Sequence, residues 1–267
     1  MKRFIKVIFS LAIISLVLPT YLSNAKSDVE SIQKKGKIVL GTSADFPPFE
    51  WIILKDGKEE VVGVDIELGQ KIADELGVEL EVQNMGFDTL IQSVKTGRID
   101  MALAGMSQTE ERAKQVDFSI PYYQGVSYIL VAKNKESEVN GLEDLKGLKV
   151  GAQKGTIQES YLNSSNIEMK LTSMPKNDVL IEALKTGKLD AVVMDEVTAG
   201  EFLRMNEDTI SKVSQGIPTE DEGYSIAIAK DNESLLEVIN KVIEQAKEKD
   251  EIKQSLEKYL DLAAKDN

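Results

Sequence analysis

A thirteen-residue stretch occurs twice in this chain, and the repetition constrains the fold more than any other feature. Residues 88–100 read Asp-Thr-Leu-Ile-Gln-Ser-Val-Lys-Thr-Gly-Arg-Ile-Asp, and residues 178–190 read Asp-Val-Leu-Ile-Glu-Ala-Leu-Lys-Thr-Gly-Lys-Leu-Asp. At a spacing of 90 residues, seven positions are identical and five are conservative exchanges, a match that chance does not plausibly produce. Each copy reads as an Asp N-cap, a short helix with one apolar face, a glycine that ends the helix in the left-handed conformation, and a hydrophobic strand. Two such units predict two similar α/β lobes. Each unit delivers the chain to the carboxyl end of a buried strand, where open sheets bind ligands.

The chain of 267 residues is long enough for two lobes of ordinary size. Its first 25 residues read as a leader rather than part of the fold. Lys2, Arg3 and Lys6 precede an apolar run from Val7 to Leu18, and Ser23-Asn24-Ala25 supplies a small-x-small cleavage site. That run is short for a membrane span, so an exported, soluble mature protein is expected. Cysteine and histidine are both absent. Disulfides, thiol nucleophiles, Ser-His-Asp catalysis and Cys or His metal sites are thereby excluded, and no cysteine is present to carry a lipid anchor. No cofactor or metal is expected. The formal charge of −13 becomes −16 once the leader, with three cations and no acid, is set aside. Such a surface repels nucleic acid and anionic lipid.

Along the chain, Lys37–Thr42 reads as a first strand, and Asp56-Gly57 between apolar runs predicts a hairpin. Leu68, Ile72 and Leu76 recur at helical spacing before a terminating Gly77, and residues 78–82 alternate as a half-buried strand. The first repeat follows, with its strand at 99–104. A strand at 126–132 leaves the first lobe. The second lobe replays the scheme with strands at 148–153, 167–171 and 189–194, and helices at 156–162, in the second repeat, and at 196–204. After a strand at 224–229, Leu235, Val238, Ile239, Val242 and Ala246 mark an amphipathic helix, and a last helix lies near 252–260. Without a low-complexity linker, the lobes must be joined by two extended crossings, near 124–128 and 220–224.

The ordered motifs Gly41-Thr-Ser-Ala-Asp-Phe-Pro-Pro-Phe-Glu50, Gly63-Val-Asp-Ile66, Gly97-Arg-Ile-Asp100, Gly105-Met-Ser-Gln-Thr-Glu-Glu-Arg112, Val116-Asp-Phe-Ser119, Gly151-Ala-Gln-Lys-Gly-Thr156 and Met194-Asp-Glu-Val197 resemble the polar amino acid family of bacterial solute-binding proteins. The resemblance spans nearly the whole chain after the leader. It implies a two-lobed α/β fold of the type II periplasmic-binding-protein class. Each lobe would be a mixed sheet flanked by helices, and the two would close over one free amino acid and hand it to an ABC permease. It also implies that the chain crosses back, giving a first lobe of 26–125, a second of 126–221, and a return segment of 222–267. A monomer is expected.

An amino acid's common head needs a cation for its carboxylate and an anion for its ammonium. Arg112 suits the first role, because a guanidinium fork binds a carboxylate bidentately; otherwise it is one more charge on a polar helix. Ser107 adds a hydroxyl, and Gly105 a carbonyl with no Cβ in the way. The resemblance implies that Asp195, on the other lobe, takes the ammonium, so that the ligand draws the lobes together; capping the following helix is its ordinary alternative. Thr156 and Ile157 open a helix whose N–H groups suit a carboxylate. Phe46 and Phe87 match family positions that wall the ligand stem, though phenylalanines are as often core. Several family members with cationic ligands carry an acid where this chain has Ser43. Asp45 or Glu50 could supply that charge, which favours arginine or lysine, with glutamine or another polar amino acid as the alternative. Gln153 and Met194 are further lining candidates by position.

Two other classes compete with a binding module. A dehydratase-like enzyme on the same fold would use carboxylates for acid/base work, and a receptor ectodomain would need a second hydrophobic anchor. The absent histidine and the Arg112 and Asp195 pair favour binding without turnover.

Overall fold

The computed structural model describes residues 28–213 and 223–265; the leader read at 1–25 and part of the second crossing lie outside the described residues. The first unit runs α1 (Val29–Lys35), β1 (Lys37–Thr42), β2 (Asp45–Phe46), β3 (Glu50–Lys55), β4 (Lys58–Val62), α2 (Val64–Leu76), β5 (Glu79–Asn84), α3 (Leu90–Lys95), β6 (Met101–Ala102), α4 (Glu110–Ala113) and β7 (Asp117–Phe118). The second comprises β8 (Ser127–Ala132), β9 (Lys149–Gln153), α5 (Ile157–Ser164), β10 (Lys170–Met174), α6 (Asn177–Lys185), β11 (Ala191–Asp195), α7 (Glu196–Met205) and β12 (Ile210–Lys212). The chain then adds β13 (Ala227–Ile228), α8 (Glu233–Glu248) and α9 (Glu251–Ala263).

Two five-stranded mixed sheets result, in the orders β5-β1-β6-β13-β7 and β10-β9-β11-β8-β12, with β2-β3-β4 as a small antiparallel sheet beside them. In the first, β1 lies parallel to β5 and β6, whereas β13 returns antiparallel to β6 and β7. Both faces are covered. Ile38 and Leu40 of β1 pack with α2 and α8, while Val39 faces Leu90 and Val94 of α3. In the second sheet, Ala191 and Val193 pack toward Leu162, and Val192 and Met194 toward Leu180 and Phe202. Burying each large side chain of this kind contributes roughly 1.5–3 kcal/mol.

The repeat builds the same joint in both lobes. A Cβ on Gly41 would meet Ile99 and Leu90; one on Gly151 would meet Leu189 and Leu180, the same two repeat positions. Glycine in each strand thus lets the repeat helix and its following residue press against the backbone. The closing aspartates match as well. Asp100 accepts the Val39 N–H at 2.7 Å and Asp190 accepts the Lys149 N–H at 2.9 Å, each tying the end of a repeat to the strand beside it.

Several expectations change. Neither repeat aspartate caps its helix: Asp88 sits inside a 3-10 turn and pairs with Lys154 across the cleft at 2.8 Å, and Asp178 follows the first residue of α6 and accepts the Val179 N–H. Of residues 99–104, only Met101–Ala102 forms a strand, with the Leu103 N–H still donating to Gly41 before the chain turns at Gly105. The strand expected at 167–171 is Lys170–Met174, because its parallel register is set by β9 from Lys149 onward. The strand expected at 224–229 shrinks to Ala227–Ile228, since Tyr224 is committed to single bridges with Ser107 and Tyr123. The short edge strand β12 carries too little pattern to be read from sequence. Asp56 and Gly57, both at positive φ, do form the expected two-residue hairpin turn. No described helix is long and apolar enough to cross a membrane.

Candidate functional site

The carboxyl ends of both sheets meet at one cavity. Its lining takes Ser43, Phe46, Glu50, Phe87, Ala104, Gly105, Ser107 and Arg112 from the first lobe. Gly125, Val126, Ser127, Gln153, Thr156, Ile157, Gln158, Asn177, Val193, Met194 and Asp195 come from the first crossing and the second lobe, and Tyr224 from the second crossing. Eleven of the twelve residues expected at the site therefore come together here, with Met194 beside them. Asp45 does not.

Arg112 reaches the cavity from a very short helix held open by Thr109, whose hydroxyl accepts the Arg112 N–H at 3.2 Å. Its guanidinium lies 5.4 Å from the centre of the Phe87 ring, a cation–π distance, and donates to the Ser107 carbonyl at 2.5 Å and to the Gly155 carbonyl at 2.8 Å. The second of these bonds joins the lobes. Gly105 has φ 54, and a Cβ there would lie 2.5 Å from the Phe46 ring, so the missing side chain lets that ring lie against the backbone.

Asp195 ends β11 and caps α7, its Oδ1 accepting the Val197 N–H at 2.9 Å while the Tyr224 hydroxyl donates to Oδ2. The cap and the cavity-facing role coexist. Burial pushes the Asp195 carboxyl up to about 6, with the Tyr224 and Val197 bonds opposing. Gly125 in the first crossing makes room, because a Cβ there would sit 2.5 Å from Asp195 Oδ2. Thr156 caps α5 and hydrogen-bonds the Gln153 carbonyl through its hydroxyl at 2.7 Å; its N–H also leans to that carbonyl at 3.4 Å.

Glu50 is fully buried on the lining, and neither of its carboxylate oxygens has a hydrogen-bond donor. Asp65, the second residue of α2, lies beside it, also fully buried, with the Tyr122 hydroxyl at 2.8 Å and the Gly105 N–H at 3.1 Å on its Oδ2. Burial, then the neighbouring Asp65 charge, drives the Glu50 carboxyl well above its usual range, and burial lifts Asp65 to about 6.

Asp45 lies behind the lining. Its Oδ1 accepts the Ser43 hydroxyl at 2.8 Å, and its Oδ2 accepts the backbone N–H of Asn177 at 2.5 Å and faces Gln153 Nε2 at 3.5 Å. The acid expected as a possible ligand contact is spent on closing the lobes. Asp65, Asn177 and Tyr224 were not singled out from the sequence. Asp65 sits inside the quoted Gly-Val-Asp-Ile motif and Tyr224 at the expected crossing, so position marked two of the three; nothing local marks Asn177.

Among the described residues lining the cavity, Arg112 is the one cation, and Glu50 and Asp195 are the two acids. Two lobes closed over a chamber of mixed charge, joined by crossings that bridge at Tyr123 and Tyr224, define a ligand-capturing protein of the two-lobed binding class. The chain belongs to the bacterial extracellular solute-binding proteins, family 3, whose model matches residues 38–262. It is 35% identical over 242 residues to the arginine-binding extracellular protein ArtP of Bacillus subtilis, covering 90% of this chain and 91% of that one. It is also 35% identical over 209 residues to a probable histidine-binding protein of Campylobacter jejuni, covering 78% of each. Among solved structures, the amino acid ABC transporter substrate-binding protein AbpA of Streptococcus pneumoniae, bound to L-arginine, superposes with a TM-score of 0.85 at 40% identity, covering 88% of this chain and 98% of that one.

Proposed function

We propose that this chain is the extracytoplasmic arginine-binding component of an ABC importer. The observation that carries the reading is the charge inventory of the cavity. Free arginine has one anionic and two cationic groups, and the lining presents one cation and two acids. Arg112 takes the α-carboxylate, with Ser107 and the start of α5 at Thr156 and Ile157 beside it. Asp195 takes the α-ammonium. Glu50 meets the guanidinium, which supplies the donors that its two oxygens lack. Phe46 and Phe87 flank the aliphatic stem, and Ser43 and Gln153 complete the polar wall. A neutral polar amino acid would leave Glu50 without its partner, and the relatives whose names and bound ligand specify arginine support the same choice.

The ligand touches both lobes, so binding stabilises the closed arrangement and presents it to a membrane permease. The hinge lies at the crossings, with lobes at 26–125 and 126–221 and the return at 222–267. Residues 1–25 are removed on export, and the mature chain acts as a monomer without a lipid anchor. No reaction is assigned to the carboxyls, whose role is electrostatic. The test is isothermal titration with arginine, lysine, histidine, glutamine and citrulline, together with recovery of the arginine after long incubation. Tightest binding of arginine, recovered unchanged, is the expected result. Preference for a neutral amino acid overturns the ligand assignment, and turnover overturns the binding-protein reading.

A further inference from the structure

Asp45 is 6% exposed and stands on the first lobe, yet its strongest partner is on the second. That partner is the backbone N–H of Asn177, the first residue of α6, where helix N–H groups have no partner of their own and the dipole favours an anion. Three neighbours of its carboxylate, Ser43, Gln153 and Asn177, line the cavity, and Asn177 Nδ2 also donates to Gln153 Oε1 at 3.2 Å. One carboxylate therefore organises both walls. Of the other cross-lobe bonds, Arg112 to the Gly155 carbonyl at 2.8 Å belongs to the cavity lining, and Arg204 donates to the Ala263 carbonyl at 2.7 Å outside that lining. Lys154 and Asp88 form a pair whose lysine is 58% exposed, and Thr198 makes a neutral bond to the Pro47 carbonyl at 2.9 Å.

We propose that Asp45 is a closure latch, a positioning residue that sets the rate of ligand release without touching the ligand. Its bond to Asn177 joins the two lobes and owes nothing to what the cavity holds. Losing a charge-assisted bond of this kind shifts the closed population, and so the off-rate, by roughly ten- to a hundredfold. The on-rate, set by encounter with the open form, changes by less than about threefold.

The experiment uses stopped-flow binding of arginine and of citrulline to the wild type and to Asp45→Asn. The chain has no cysteine, so Lys58→Cys and Lys188→Cys, exposed positions on opposite lobes, accept a dye pair that reports closure. A latch predicts that the off-rates of both ligands rise by the same factor and that the closed fraction falls. Loss confined to arginine would make Asp45 a ligand contact and overturn the proposal, as would unchanged off-rates. Asn177→Pro carries the test if Asp45→Asn fails to fold. It deletes the donating N–H at a first-turn position where proline is tolerated, after an extended Lys176, and Asn177→Ala controls for the side chain lost with it. Asn177→Pro should raise the off-rate more than Asn177→Ala, and combining it with Asp45→Asn should add little further. Additive effects overturn the latch. The inference rests on the cavity being an amino acid site: failure of any amino acid to bind defeats that reading, whereas normal binding with unaltered off-rates defeats the latch alone.

Discussion

Replacing Glu50 by Gln removes one charge from a wholly buried position and keeps the shape. Both Glu50 oxygens lack donors in the protein, and a guanidinium bound as proposed would supply them. Truncating one partner of a buried hydrogen-bonded charge pair costs about 2–5 kcal/mol. At ~1.4 kcal/mol per tenfold, the dissociation constant for arginine should rise roughly 30- to 5,000-fold. The lower half of that range is the expectation at neutral pH, because burial and the Asp65 charge make the wild-type carboxyl costlier to ionise. Citrulline replaces the guanidinium by a neutral urea of nearly the same shape. The wild type should prefer arginine by about two orders of magnitude on the same scale, and Glu50→Gln should bring the two ligands within about tenfold. Calorimetry in buffers of different ionisation enthalpy should show more proton release on arginine binding by the wild type than by the variant. Arginine affinity retained within about threefold would refute the assignment, and equal losses for both ligands would reduce Glu50 to a packing residue.

Arg112→Ala and Arg112→Lys should both abolish the stabilisation of roughly 2.7 kcal/mol expected at a hundredfold excess of ligand over its dissociation constant, measured as a melting-temperature shift, since the fork geometry is lost in each. Gly105→Ala should cost at least about 1–2 kcal/mol through its left-handed backbone, and should weaken binding further by pushing on Phe46; denaturant titration and calorimetry separate the two effects. pH acts oppositely on stability and on affinity. Asp65 and Asp195 each rise from 3.8 to about 6 on folding, so the folded state holds more protons between those values, and stability falls as pH rises through that window by up to ~3 kcal/mol for each group. Above it the contribution is constant. The lowered carboxyls of Glu67 and Glu81 act in the opposite direction, but both are part-exposed and paired to lysines that are themselves exposed, where ion pairs contribute little. The ligand-free protein should therefore melt higher at pH 5 than at pH 7, whereas arginine affinity should rise over the same interval as Glu50 and Asp195 become easier to ionise. Finally, arginine should shrink the radius of gyration in solution scattering, and an unchanged profile at saturation would refute closure about the crossings.

Much of the scaffold was legible in advance because it depends on local chemistry and period. Asp56-Gly57 made a two-residue hairpin, Gly77 ended α2, and the four-residue spacing of Leu68, Ile72 and Leu76 gave a helix face. The N-cap reading of Asp88 and Asp178 failed for the opposite reason. A side chain that can cap its own helix can also bond elsewhere, and across the cleft Lys154 offered Asp88 a better partner. The strands expected at 99–104 and 224–229 were read too long, at Met101–Ala102 and Ala227–Ile228, because their limits are set by partners far along the chain.

The division is clearest among the acids around the cavity. By itself the sequence determined two matching α/β lobes, through a repeat whose helices press on Gly41 and Gly151 and whose aspartates tie Val39 and Lys149, and it marked the ends of the repeat strands as the place to look. It also presented Asp45 and Glu50 as equal candidates, five residues apart in a chain rich in carboxylates. Only the tertiary structure separated them, because the role of a carboxylate depends on the donors that reach it. The lobes bring the start of α6 to Asp45 and leave Glu50 facing the cavity with none.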